Sequence, residues 1–179
     1  MMFEPLKIYK LKPDVPDLNY ATDYAACMDV SAYLKFSGNV KAYTTDNKDI
    51  DILVAQDKDG RDFIDIPPDW RVLIPTGLIF EIPPETHLKV HPRSGLSTKK
   101  GLNLINCTGI IDEDYREQLF IPLFNNSIEK LRIYCGDRIA QIEVAHTIRT
   151  LVLQTSERPS KKGDRDGGFG STGLSLTIS

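Results

Sequence analysis

The chain has 179 residues, with 22 Lys and Arg against 25 Asp and Glu, giving a formal charge of −3. This length accommodates one domain with an appended arm and excludes two catalytic domains, since domains usually run to about 100–150 residues. The charge balance offers no global positive field for duplex nucleic acid, so any phosphate site has to be local.

No segment approaches the roughly 18 consecutive apolar residues of a membrane span, and the opening MMFEPLKIYKLKPDVPD lacks both a long apolar run and a small-residue cleavage site. The expectation is therefore a cytoplasmic chain with no nucleic-acid and no membrane partner. Cys27, Cys107 and Cys135 form no CxxC pair, which argues against a disulfide framework or a zinc knuckle.

In chain order, the segment 21–36 (ATDYAACMDVSAYLKF) is rich in helix formers, and propensity predicts about four helical turns there. The polar stretch 37–70 reads as an extra β-hairpin inserted into the domain, with Asp59-Gly60 as the turn between ILVAQ and FIDI. From residue 71 onward, short β-branched or alternating runs follow one another between Pro, Gly and Asn turns. No long helical repeat separates them, so the fold class is all-β, a sandwich or barrel. After Ser156 the chain becomes Gly-rich and charged, and 158–179 reads as an arm appended to a domain of 1–157.

Four local patterns carry chemistry. In His91-Pro92-Arg93-Ser94-Gly95-Leu96-Ser97, Pro92 ends a strand and Ser94 is placed to cap one short helical segment ending at Gly101. Backbone N–H groups, a hydroxyl and a guanidinium then converge as an anion site. In Asn106 through Tyr115, a turn between two strands leads into an acidic cluster. Asp112 on a strand suits orientation of an attacking water, and the Tyr115 ring suits packing on a sugar. In Gly136 through Gln141, alternation puts Gln141 with Ile139 on one face and Arg138 with Ala140 on the other. In Arg165 through Gly173, glycines free the backbone to wrap a polyphosphate, Ser171 and Thr172 add donors, and Phe169 can stack on a base.

Together and in this order, with Ala25 through Val30 ahead of them, these segments resemble the five motifs of the trimeric dUTPases (deoxyuridine triphosphatases). The resemblance covers about 20–36 and 71–173. It implies a distorted β jelly roll with one short helix, assembled as a homotrimer whose sites draw on more than one subunit and are closed by a C-terminal arm. It implies hydrolysis of dUTP to dUMP and pyrophosphate, which keeps uracil out of DNA and supplies dUMP for dTMP synthesis.

By the same resemblance, Asp112 activates water for attack on the α-phosphorus and Tyr115 packs under the deoxyribose. Asn106, Gly109, Ile110 and Ile111 read uracil, and Arg93, Ser94, Gly95 and Gln141 hold phosphates. The arm brings Arg165 to the phosphates, Phe169 onto the base, and Gly170, Ser171 and Thr172 to the γ-phosphate. Mg²⁺ is implied as the cofactor, carried by the triphosphate and its waters, with Asp29 contacting it only through water.

The chain departs from the motif pattern at Cys27 and Glu117, both in place of Gly. It also departs at Arg165, four residues rather than five before Phe169. The resemblance further implies extended structure around Asp29 in place of the helix, and leaves 37–70 as decoration or a surface for a protein partner. Alternatives on the same residues are a dCTP deaminase of this fold or a dUTPase-like trimer serving as a regulatory binding module. The Asn106–Tyr115 segment and the Gly168–Gly173 arm favour the dUTPase.

Overall fold

The computed structural model describes residues 4–163. Fifteen strands and one helix make up the secondary structure of the described residues, and the helix is the seven-residue α1 (Ser94–Lys100). None of it is a helix long and apolar enough to cross a membrane.

Two five-stranded antiparallel sheets carry the jelly roll. In one, β12 (Gly109–Ile111), β10 (Thr86–His91), β15 (Arg138–His146), β3 (Met28–Ser31) and β2 (Asn19–Tyr20) lie side by side. In the other the order is β11 (Leu102–Leu104), β13 (Phe120–Asn125), β8 (Arg71–Pro75), β4 (Asn39–Tyr43) and β5 (Asp49–Leu53). Two small sheets complete the fold. One pairs β1 (Lys7–Lys10) with β9 (Leu78–Glu81), and the other runs β14 (Leu131–Tyr134), β7 (Asp62–Ile66), β6 (Ala55–Gln56).

Period-two alternation explains which residues meet in the core. Leu88 and Val90 of β10, Val72 and Ile74 of β8, Ile121 and Leu123 of β13 and Val30 of β3 are all buried in a common apolar cluster. Their chain neighbours Lys89, His91, Asp29 and Arg71 point outward and are only partly covered. The outer face of the β10–β15–β3 sheet is therefore polar by the same alternation that makes its inner face apolar.

Three expectations about the fold fail, while the extended structure that the resemblance implies around Asp29 is present as β3. Residues 21–36 form no helix. β3 begins at Met28 and pairs with β15 more than a hundred residues later in the chain, and that long-range ladder outweighs local propensity.

The segment 37–70 is not an added hairpin. It forms β4 to β7, with β4 pairing β8 and β7 pairing β14, and its Val40, Ala42, Val54, Ile64 and Ile66 belong to the core. The buried Asn125 amide donates to the Ile66 carbonyl at 2.9 Å, tying β7 to the end of β13. The Asp59-Gly60 turn does join β6 to β7. Gly60 takes the left-handed φ of 76° that the turn needs, and the Asp57 carboxylate accepts from the Asp59 and Arg61 amides.

The compact unit ends at Ile148, nine residues short of the expected 157, and the second unit starts at Arg149. In that second unit, no strand or helix is formed over its described residues, 149–163.

Candidate active site

One cluster of site residues gathers at the end of the polar face of the β10–β15–β3 sheet. The ladder sets Gln141 opposite Asp29 on one side and opposite His91 on the other. A register shift between Arg138 and Ala140 inserts an extra residue, so Ile139 and Ala140 are both buried and Arg138 comes out on the same face as Gln141. Strict alternation puts those two side chains on opposite faces, and the bulge corrects it.

The Asp29 carboxylate accepts from Arg93 Nε at 3.0 Å and from Arg138 Nη1 at 2.9 Å, with its side chain 15% exposed. Arg93 Nη1 also donates to the Arg138 carbonyl at 2.9 Å, and Gln141 Nε2 donates to the Pro92 carbonyl at 3.1 Å. These contacts fix two guanidiniums around one carboxylate at the rim of a cavity of about 320 Å³ lined by Ala21, Asp29, Arg93, Ser94, Gly95, Leu96, Arg138 and Gln141. Two cations against one anion leave this cavity net positive.

The helix enters the same cavity, but Ser94 does not cap it. Arg93 occupies the N-cap position without a side-chain cap bond, Ser94 is the first helical residue, and Gly101 closes the far end in the left-handed conformation. The first intrahelical bonds are those of the Leu96 and Ser97 amides to the Arg93 carbonyl, so the Ser94 and Gly95 amides precede the helical bonding pattern. A Cβ built on Gly95 meets nothing within 4 Å, so this position borders open space.

The second cluster lies at the end of β12, which pairs with β10 through Val90↔Gly109 and Leu88↔Ile111. A cavity of about 550 Å³ is lined by Ile110, Ile111, Asp112, Asp114, Tyr115, Arg116, Glu117, Leu119 and Phe120. Asp112 is exposed, and its carbonyl accepts from the Tyr115 amide at 3.1 Å. The Tyr115 hydroxyl donates to the Gln118 carbonyl at 2.8 Å, which holds the ring in place. Burial and the nearby Glu117 carboxylate push that phenol above its usual range. Gly109 is buried, and a Cβ there would crowd Val90 and the Asn106 amide at 3.2 and 3.3 Å, so the glycine allows Asn106 to fold over the strand start.

Neither Cys27 nor Glu117 adopts a left-handed φ, so a side chain is accommodated at both positions where the motifs carry glycine. Burial, and then Glu143 and Asp29, push the Cys27 thiol up. Arg138 is the residue that sequence reasoning put on the wrong face. Its signal was a bulge, which two consecutive buried positions (Ile139, Ala140) betray only once pairing is known. Arg165, Phe169, Gly170, Ser171 and Thr172 lie outside the described residues. Among the described residues none lines both cavities, so the Asp112–Tyr115 group and the Arg93–Gln141 group border separate openings.

As to a divalent cation, Asp29 is the sole carboxylate lining the positive cavity among the described residues, and both of its oxygens are engaged by arginines. That donor set fits an Mg²⁺ that keeps its waters and takes its other oxygens from phosphate, because Mg²⁺ loses water reluctantly.

Comparison with known proteins places these features in context. The dUTPase family model matches residues 51–173. The deoxyuridine 5'-triphosphate nucleotidohydrolase of Finegoldia magna is 43% identical over 110 residues, 62% of this chain and 76% of that protein. The protein of the same name from Gloeothece citriformis is 35% identical over 130 residues, 73% of this chain and 85% of that protein. Among solved structures, a mutant dUTPase of Staphylococcus bacteriophage 80alpha with dUpNHpp has a TM-score of 0.70 at 20% identity, covering 95% of this chain and 99% of that one. A mutant dUTPase of phage phi11, described for its coordination of a structural Mg(II) ion, has a TM-score of 0.66 at 18% identity over 88% of this chain and 100% of that one.

Proposed function

The chain belongs to the dUTPase family, and from that premise we propose that it hydrolyses dUTP to dUMP and pyrophosphate at sites completed between protomers of a homotrimer. The observation that carries the proposal is the separation of the two clusters within one chain. A nucleotide must reach both the Asp112–Tyr115 cavity and the Arg93–Arg138 cavity, and these share no lining residue. Juxtaposing the first cavity of one protomer with the second of its neighbour supplies a full site, and closed cyclic symmetry repeats it. An apolar groove bordered by Leu6, Tyr20, Met28, Pro83 and Val144 supports assembly, since such surfaces mark contact sites.

In this reading Asp112 accepts a proton from a water whose oxygen forms a bond to the α-phosphorus, while the bond to the bridging oxygen of the β-phosphate breaks and pyrophosphate leaves. Asp112 is not on a strand but directly follows the paired strand β12, and its carbonyl accepts from the Tyr115 amide, so its backbone is held before substrate arrives. The Tyr115 ring, locked through Gln118, forms the floor for deoxyribose. Asn106 and Gly109 through Ile111 face the uracil edge with side-chain and main-chain groups. Arg93, the Ser94 and Gly95 amides and Gln141 bind the phosphates, and Arg138 joins them as a residue positioned by Asp29.

Mg²⁺, when bound with the triphosphate, would supply neutralisation of phosphoryl charge, and Asp29 is the residue that would contact it, through water. The roles that the resemblance gives to Arg165, Phe169, Gly170, Ser171 and Thr172 fall on residues outside the described part of the chain. For 37–70, the open edge strand β5, with Asp49, Asp51 and Leu53 exposed, is the surface available to a protein partner.

The experiment is complementation between two inactive chains. Asp112→Asn and Arg93→Ala each lose turnover. After unfolding and refolding together in equal amounts, random assembly leaves about a quarter of the composite sites with both wild-type residues, and that fraction of activity returns. If mixing restores nothing while mixed trimers form, both groups act from one chain and the proposal fails. The readout is pyrophosphate. Ammonia released from dCTP instead would favour the deaminase.

A further inference from the structure

We propose that Cys27, His91 and Glu143 form a binding site for a borderline divalent transition metal of the Zn²⁺ class on the outer face of the β10–β15–β3 sheet. The three residues come from three neighbouring strand lines. His91 ends β10, Glu143 lies in β15, and Cys27 immediately precedes β3. The ladder matches Glu143 with Lys89 and Gln141 with both His91 and Asp29, so the three side chains occupy one face in adjacent rows. Neighbouring strands are about 4.8 Å apart, which brings ligand atoms of such a trio within reach of one ion.

The geometry meets that requirement. The Cys27 sulfur, a His91 ring nitrogen and a Glu143 carboxylate oxygen all lie within 4.8 Å of one another. His91 Nε2 and Glu143 Oε1 are 3.3 Å apart. Tetrahedral zinc with ordinary bond lengths places two of its ligand atoms roughly 3.3–3.6 Å apart. The histidine and glutamate are thus already at ligand spacing, and a side-chain rotation of Cys27 closes the set.

Sulfur, imidazole and carboxylate together select a zinc-class ion over Mg²⁺, which prefers all-oxygen surroundings. Three protein ligands leave a fourth position for water.

None of the three residues lines either active-site cavity, so the hydrolytic reaction does not account for their meeting. Cys27 in particular stands where the family motif carries glycine. Of the charged groups facing the trio, Lys89 Nζ lies 3.5 Å from Glu143 Oε1 and is the competing cation, while Asp29 is already occupied by Arg93 and Arg138. Lys89 is a long, partly exposed side chain that can withdraw to solvent when an ion takes the carboxylate. An ion here would tie the end of β10 to the start of β3 directly behind the Pro92-Arg93 turn.

The test uses the full chain, freed of metal with a chelator, without nucleotide, and Co²⁺ as the probe. The expected result is one Co²⁺ per chain with a thiolate-to-cobalt charge-transfer absorption in the near ultraviolet, lost when Zn²⁺ is added and unmoved by Mg²⁺. Cys27→Ser abolishes the band and Cys107→Ser keeps it. His91→Gln and Glu143→Gln each weaken Zn²⁺ binding by about tenfold or more, as loss of one ligand should. Lys89→Met strengthens it. Absence of the band in the wild-type chain overturns the proposal without reliance on any variant. A band that depends on Cys107 or Cys135 instead, or Zn²⁺ affinity unchanged in all three ligand variants, also overturns it.

Discussion

Exchanging Asp29 for asparagine tests whether the carboxylate organises the phosphate side of the site. The side chain accepts from Arg93 Nε at 3.0 Å and Arg138 Nη1 at 2.9 Å and is 15% exposed. Hydrogen bonds to charged groups contribute about 1.5–3 kcal/mol each. The Arg138 side chain is 55% exposed, so its share is screened to at most about 1 kcal/mol.

In the variant, the amide oxygen can still accept from Arg93, but the amide nitrogen then faces the Arg138 donor. One contact survives without its charge and the other is lost, a change of about 1–3 kcal/mol. Losing the carboxylate also makes the cavity one charge more positive, which draws dUTP in. The loss should therefore fall on kcat, at about tenfold for each 1.4 kcal/mol of lost positioning, with KM unchanged or lower. The assay is pyrophosphate release across a range of dUTP, with thermal unfolding as control. A kcat within twofold of wild type in a folded protein would show that the two arginines hold their places without Asp29.

Gly95→Ala should fold at least as well as wild type, because the new Cβ meets no protein atom and alanine favours helix by about 1 kcal/mol. Its KM for dUTP should nonetheless rise, and an unchanged KM would mean phosphate does not approach that face. Ile64→Ala, at a site 1% exposed, should cost about 2–5 kcal/mol in denaturant unfolding. Deletion of 40–65 should abolish folding, and a soluble, cooperatively unfolding deletion would contradict the assignment of β4 and β7 to the core.

The Arg132 fork on Asp65, at 2.7 and 2.9 Å, lowers that carboxyl below its ordinary 3.8. Its stabilisation is therefore present above about pH 4 and drains as pH falls through the lowered folded-state value. The thermal advantage of wild type over Asp65→Asn should shrink as pH falls below about 4, and a constant difference would refute the linkage.

The parts of the site that sequence made legible are those whose chemistry is local. Asp112 and Tyr115 are three residues apart and joined by one turn. Arg93, Ser94 and Gly95 are contiguous, so spacing alone brings each set to one place. Residues 21–36 misled because their helix propensity is local while the β3–β15 ladder that overrides it is not. The stretch 37–70 misled in the same way, since the partners that bury Val40 and Ile64 lie in β8 and β14. Ser94 was misread for a smaller reason. The chain turns into the helix one residue earlier, which makes Arg93 the boundary residue and turns its side chain toward Asp29.

Arg138 shows why sheet irregularity matters more to this site than strand assignment. Along an unbroken strand, residues 138 and 141 differ by an odd number and cannot share a face. With one residue bulged between Arg138 and Ala140 they do, and Arg138 then meets an aspartate contributed by β3. The bulge allows Ile139 and Ala140 to be buried together at the end of the sheet. A second guanidinium thereby enters the positive cavity beside Asp29. A substitution at Ala140 that restored regular alternation would remove that guanidinium without touching any residue that lines the cavity.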